Sequence, residues 1–162
     1  MTARFSPAVL RAFSETLCRA AGLDAADAAA LSDSILFAEA RGVSSHGLLR
    51  LPQYIARLRS GAAAIGAEMV FTMESGGVAR LDARNGLGQL AGRLAEEKAE
   101  ALAKAHGVSF VAVANSNHFG TGAWYAVPSA RRGFFAFNLS AAASAMAPYG
   151  AARPLLGTDP LC

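Results

Sequence analysis

Cysteine is scarce: Cys18 and Cys162 are the only two in 162 residues. Two thiols so far apart make no disulfide framework. Metal-ligand spacing is missing as well. The three histidines, His46, His106 and His118, form no H-x-x-x-H pair and the chain has no C-x-x-C, so no metal site is expected. The G-x-S-x-G of a nucleophile elbow is absent. Basic residues never run longer than Arg131-Arg132, and a net charge of +3 scattered in this way leaves no footprint for nucleic acid. Glu15 interrupts any apolar leader segment, so a reducing, cytoplasmic location is expected.

One long stretch, residues 133–152, carries no charge and has about the length of a membrane span. It holds Asn138, Ser140, Ser144 and Pro148, which fit buried protein better than lipid, so no membrane partner is expected. Charge is also thin over the whole last third, where only Arg131, Arg132, Arg153 and Asp159 follow His106. Such a segment reads as interior material, yet the chain stops within it. The hydrophobic share of 53% excludes a disordered chain.

Local signals give the element order. Ser6-Pro7 is an N-cap followed by a first-turn proline, and Val9, Leu10, Phe13 and Leu17 recur at helical spacing up to a terminal Gly22. Asp24 caps a second helix with Asp27 in its first turn and Ala28, Leu31, Ile35 and Ala38 as its apolar stripe, ending at Arg41-Gly42. A third helix is expected from Ser44 or Ser45 to Ser60-Gly61, kinked or started late by Pro52. Residues 69–73 and 78–82 then read as a hairpin around Ser75-Gly76-Gly77. Residues 87–106 read as a long helix with Glu96, Glu97 and Lys98 facing water. Residues 108–114 read as a buried strand, 115–120 as a polar loop, 121–132 as a helix broken near Pro128, and 134–138 as another buried strand. A seam is expected near residues 61–67, where an all-helical start gives way to mixed α and β.

Three constellations could carry chemistry. In Arg41-Gly-Val-Ser-Ser-His46-Gly47, with Arg50 and Tyr54, a helix begun at Ser45 would line up His46, Arg50 and Tyr54 on one face. An arginine fork there suits a carboxylate; an ordinary capped amphipathic helix is the alternative. Asn115-Ser-Asn-His118-Phe-Gly120 directly follows an apolar strand, where α/β proteins place site residues. A histidine there can move protons near neutral pH; an Asx-rich turn is the alternative. Gly86-Leu-Gly88-Gln89-Leu-Ala91 fits the G-x-G-x-x-A form of the dinucleotide fingerprint. No acid from Val108 to Pro128 is available to hold a ribose, so a tight turn into a helix is the better reading.

Together these stretches resemble the malate/L-lactate dehydrogenase family of the non-Rossmann type, which includes ureidoglycolate dehydrogenase, sulfolactate dehydrogenase, diketogulonate reductase and piperideine-2-carboxylate reductase. Asn138, Met146-Ala-Pro148 with Gly150, and Gly157-Thr-Asp-Pro160 continue the match in the family's order. The resemblance implies an α/β fold: an N-terminal helical substrate and dimer region (1–65), then part of a mixed, largely antiparallel NAD(P)-binding sheet domain (66–162). It implies hydride transfer between a nicotinamide, NAD or NADP, and a small 2-hydroxy or 2-oxo acid, in a homodimer. Carried over by position, His118, His46 and Ser45 are the catalytic candidates. Arg50 and Tyr54 would bind substrate, while His46, Asn138, Thr158, Asp159 and Pro160 would contact the cofactor. Asp159 stands where the family usually has asparagine. Members of this family are about twice as long, so the chain is expected to be an N-terminal half that is inactive alone. A non-catalytic, dimerising relative is the alternative, and a module binding a dinucleotide through Gly86–Ala91 a third.

Overall fold

The computed structural model describes residues 4–162. The chain divides into two compact units, the first running to Thr121 and the second covering Gly122–Cys162. The first unit opens with helices α1 (Pro7–Ala20) and α2 (Ala25–Glu39). Both start where the sequence places them. Ser6 accepts from the Val9 N–H, and Asp24 accepts from the Asp27 N–H at 2.8 Å. These caps satisfy donors that a helix start otherwise leaves unpaired.

Helix α2 buries its expected stripe of Ala28, Leu31, Ile35 and Ala38. Helix α1 buries only part of its stripe: Leu17 packs against the core and Leu10 is half-buried, but Val9 and Phe13 are exposed, and Ser14 and Cys18 are the residues fully buried. Its periodicity marks the helix but only part of the inward face. The core of this part joins Cys18, Leu31, Ile35, Leu51, Tyr54 and Leu58 with Leu87.

The third helix is not continuous from Ser44 or Ser45. Two single 3₁₀ turns, Ser44–His46 and Leu48–Arg50, precede α3 (Leu51–Arg59). Pro52 sits in the first turn of α3, where its missing N–H costs nothing; of the two expected outcomes, the late start holds.

Strands β1 (Val70–Ser75) and β2 (Val78–Asp82) form the expected hairpin, with a bulge between Phe71 and Met73. Helix α4 (Gly88–His106) then crosses over to β3 (Phe110–Ala114), which pairs in parallel with β2. The sheet order is β1-β2-β3. Leu81 and Ala83 pack on Ala91 and Ala95 of α4. On that helix Glu97 is exposed, but Glu96 and Lys98 are half-buried; Lys98 pairs with Glu74 at 2.5 Å and lies over the Phe71 ring. Strand β3 is not buried as expected. It forms one edge of the sheet, and Phe110 is 60% exposed.

The second unit holds α5 (Ala123–Arg131) and irregular chain. Helix α5 runs through Pro128 unbroken, although a proline inside a helix removes one hydrogen bond and crowds the preceding turn. Residues 134–138 form no strand, and Phe135 is 87% exposed. The chain is tied there by single bridges, Leu139 with Leu161 and Met146 with Leu156. Asn138 and Cys162 exchange both backbone hydrogen bonds. Among the described residues no helix is long and apolar enough to cross a membrane.

Candidate active site

Pairing of β2 with β3 continues past the strands. Ala83 N–H donates to Ala114 O, and Asn85 N–H donates to Asn115 O at 2.8 Å. Two turns therefore leave the sheet side by side. Both need left-handed backbone, at Arg84 and Asn85 in one and Asn115 in the other. Asn117 locks them together. Its Nδ2 lies 2.8 Å from Asn85 O, 3.0 Å from Asn85 Oδ1 and 2.9 Å from Gly86 O. Its Oδ1 accepts from Arg57 of α3 at 2.5 Å. Gly88 closes the arrangement: a Cβ at that position would overlap Asn117 O and the His118 backbone. Gly88 thus permits close packing of turn on loop, and Gly86 lets the turn itself lie against Met69 and Ala67, as the tight-turn reading requires.

The lock presents His118, which is exposed and faces a buried Tyr54. The Tyr54 hydroxyl and His118 Nδ1 are 2.7 Å apart. Gly120, in the left-handed region at φ +79°, turns its N–H back to the same nitrogen at 3.3 Å. The His46 ring stacks on His118 with centroids 5.5 Å apart. His46 in turn has Ser45 Oγ 3.1 Å from its Nδ1. Arg50 donates from Nε to Ser45 O and from Nη1 to Gln53 Oε1, both at 2.7 Å.

His46, Tyr54 and His118 are therefore gathered within one unit, with Ser45 on His46 and Arg50 on Ser45. The expected continuous helical face is not what gathers them. Glu39 does part of that work: at the end of α2 it accepts from Leu48 N–H at 2.8 Å and from Ser44 Oγ at 3.2 Å. A side chain at Gly47 would collide with it. Glu39, Arg57 and Asn85 are not among the residues that the sequence motifs single out. Their only sequence signal is a polar residue where a helix or strand ends.

Although part of the side chain meets solvent, desolvation of the inward-facing part of the His118 ring, with Arg50 and His46 beside it, lowers its pKa to about 4. Burial and Arg50 also lower His46. Burial raises Tyr54 to about 12, against smaller lowering effects from Gln89 and Arg50. Gln89 is fully buried, but its amide atoms fall short of hydrogen-bond geometry. At neutral pH the cluster is thus two neutral imidazoles, a protonated phenol and one arginine cation.

In the second unit, Asn138 keeps a buried Nδ2 without a partner among the described residues. Asp159, at φ +34°, accepts from Ala142 N–H at 2.8 Å. Thr158 precedes it, and Pro160 offers its carbonyl to Ser140 N–H at 3.2 Å.

The family model for malate/L-lactate dehydrogenase matches residues 5–162. A (2R)-3-sulfolactate dehydrogenase (NADP(+)) of Chromohalobacter salexigens is 40% identical, over 91% of this chain and 45% of its own. A ureidoglycolate dehydrogenase (NAD(+)) of Escherichia coli is 33% identical, over 90% of this chain and 41% of its own. Malate dehydrogenase from Pyrococcus horikoshii superposes with a TM-score of 0.94 at 30% identity, covering 98% of this chain and 46% of that one. The chain thus spans rather under half the length of these relatives. It belongs to the malate/L-lactate dehydrogenase family.

Proposed function

We propose that this chain contributes the acid/base and carboxylate-binding groups of an NAD(P)-dependent dehydrogenase acting on small 2-hydroxy or 2-oxo acids. The observation that carries this is the Tyr54–His118–His46 cluster with Arg50 beside it. His118 is the acid/base group at the substrate's 2-oxygen, and His46, with Ser45 on its Nδ1, is the second histidine of the site. Arg50 holds the carboxylate, for which a guanidinium fork is suited. Two of its nitrogens already have protein partners, which aim the remaining one. Tyr54 lines the pocket behind His118.

The unpartnered Asn138 amide fits a nicotinamide, since it is a buried donor in want of an acceptor. The family position also assigns Thr158, Asp159 and Pro160 to the cofactor. The chemistry supplied by the bound nicotinamide is hydride transfer at C2. The protein's task is then to align the acid and move one proton at its 2-oxygen. In oxidation the hydroxyl proton leaves to a base as the hydride departs; in reduction it returns. We assign residues 1–65 to substrate binding and dimer contact, and residues from 66 onward to the cofactor-binding part. A cytoplasmic homodimer without nucleic-acid or membrane partners completes the reading.

The test is a panel of 2-oxo acids offered with NADH and with NADPH to the product of the full reading frame. His118→Ala should lower kcat by about 10²–10⁴-fold, the usual worth of a placed proton-transfer group, with cofactor affinity nearly unchanged. Arg50→Ala should act mainly on KM for the acid. Near wild-type turnover in His118→Ala refutes the acid/base role. Cofactor and acid binding without turnover in the unmutated protein would favour a non-catalytic relative.

A further inference from the structure

His118 Nδ1 is approached by two groups, and their chemistry decides which ring nitrogen carries the proton. The first is a backbone N–H, that of Gly120, which can only donate. Its direction is fixed by a left-handed φ of +79°, and a side chain at Gly120 would crowd Ser34 Oγ at 3.0 Å. The second is the Tyr54 hydroxyl at 2.7 Å. It sits on a ring only 3% exposed, cut off from solvent that could compete for its proton. A nitrogen that receives a fixed N–H cannot itself bear hydrogen without a clash of donors. The Tyr54 hydroxyl then serves the lone pair as donor, its other polar neighbour, the Gln89 amide, falling short of hydrogen-bond geometry.

We infer that Tyr54 is a positioning residue that holds His118 as the Nε2–H tautomer, so that the resting site presents a hydrogen-bond donor to its ligand. This rests on the function proposed above and goes beyond it by giving the two directions of reaction unequal starting points. The carbonyl of a 2-oxo acid meets a donor already in place. The hydroxyl of a 2-hydroxy acid meets Nε2–H, so the ring must first release that proton to solvent and take one up from solvent at Nδ1, against the fixed Gly120 N–H and with the Tyr54 hydroxyl turned to accept. His46 is not constrained in this way, because the partner at its Nδ1 among the described residues is a serine hydroxyl that can donate or accept.

The test is long-range ¹H–¹⁵N correlation of the histidine rings in the 162-residue chain at neutral pH, without substrate or cofactor. His118 should show a protonated Nε2 and a bare Nδ1. Tyr54→Phe keeps the buried ring and removes the donor, so the ratio of Nε2–H to Nδ1–H should fall by roughly tenfold, the upper range for one neutral hydrogen bond. His46 and His106 should be unmoved. In the wild-type chain the Tyr54 hydroxyl proton should exchange slowly and lie beside His118 Nδ1, a readout that survives if Tyr54→Phe does not fold. A wild-type Nδ1–H ring, an unchanged ratio in Tyr54→Phe, or a rapidly exchanging Tyr54 hydroxyl overturns the inference. The proposed function fails by a different sign: no turnover with the tautomer intact.

Discussion

Removing the Asn117 side chain should cost more than a loop asparagine ordinarily does. Its amide nitrogen has three acceptors in reach, at 2.8, 3.0 and 2.9 Å, but only two hydrogens, so two bonds are counted. One neutral bond is worth about 1 kcal/mol net, and less toward acceptors that water can reach. The bond accepted from Arg57 is charge-assisted and worth more, but Arg57 is half-exposed, which trims it. Asn117→Ala should therefore lose about 2–3 kcal/mol, a sizeable part of the 5–15 kcal/mol typical of a whole protein. Urea unfolding followed by circular dichroism measures this as a lower midpoint at constant slope. Because the same bonds aim His118, its ring should also lose the close contact with Tyr54, visible as a shifted His118 resonance. A loss below about 0.5 kcal/mol, the range of an ordinary surface substitution, would refute the lock. So would an undisturbed His118 in a destabilised variant.

Gly88→Ala should destabilise the chain by about 1–3 kcal/mol through overpacking against Asn117 O and His118. A thermal melt without any cofactor checks it; a loss seen only in the presence of cofactor would favour the phosphate-binding reading of Gly86–Ala91. Leu31 is fully buried in the helical core, so Leu31→Ala should cost about 2–5 kcal/mol in the same urea assay. His118 has its pKa lowered from 6.5 to about 4 in the folded chain. Below pH 6.5 the unfolded chain then binds the proton first, so the stabilising contribution is whole above 6.5 and declines toward 4. Solvent on the exposed ring screens most of the effect, leaving about 1 kcal/mol or less. The urea midpoint should drop between pH 7.5 and pH 5 by a smaller margin in His118→Asn, and an identical drop in both would count against it.

Elements whose signals are local are legible in the sequence itself. Ser6-Pro7 and Asp24 mark helix starts because capping is settled within four residues. The hairpin follows from two short strands about Gly76-Gly77. Burial is less legible, because an apolar run does not say which neighbour covers it. Phe110 and Phe135 belong to such runs and are exposed. The candidate histidines are legible as motifs, but not the ties that bring them together. Arg57 meets Asn117 across 60 positions, and no periodicity encodes a single polar pair.

The backbone supporting His118 adds an independent argument that this end of the sheet serves a site. Arg84, Asn85 and Asn115 have φ of +46°, +62° and +52°, a region that costs a residue with a Cβ about 1 kcal/mol or more. Asparagine tolerates it through local hydrogen bonds, but arginine has no such compensation. The remaining strain is balanced by fixed contacts: Arg84 N–H on Asp82 Oδ1 at 2.9 Å, Asn115 Nδ2 on the same oxygen at 3.0 Å, and Asn117 on the carbonyls that the left-handed turns expose. A turn needed only to join a strand to a helix could use glycine at these positions without strain. Here the polar side chains knit two turns into one platform, and the residue it carries next is His118. Strain of this kind persists where the surrounding contacts over-determine it, and here they fix the position of one imidazole.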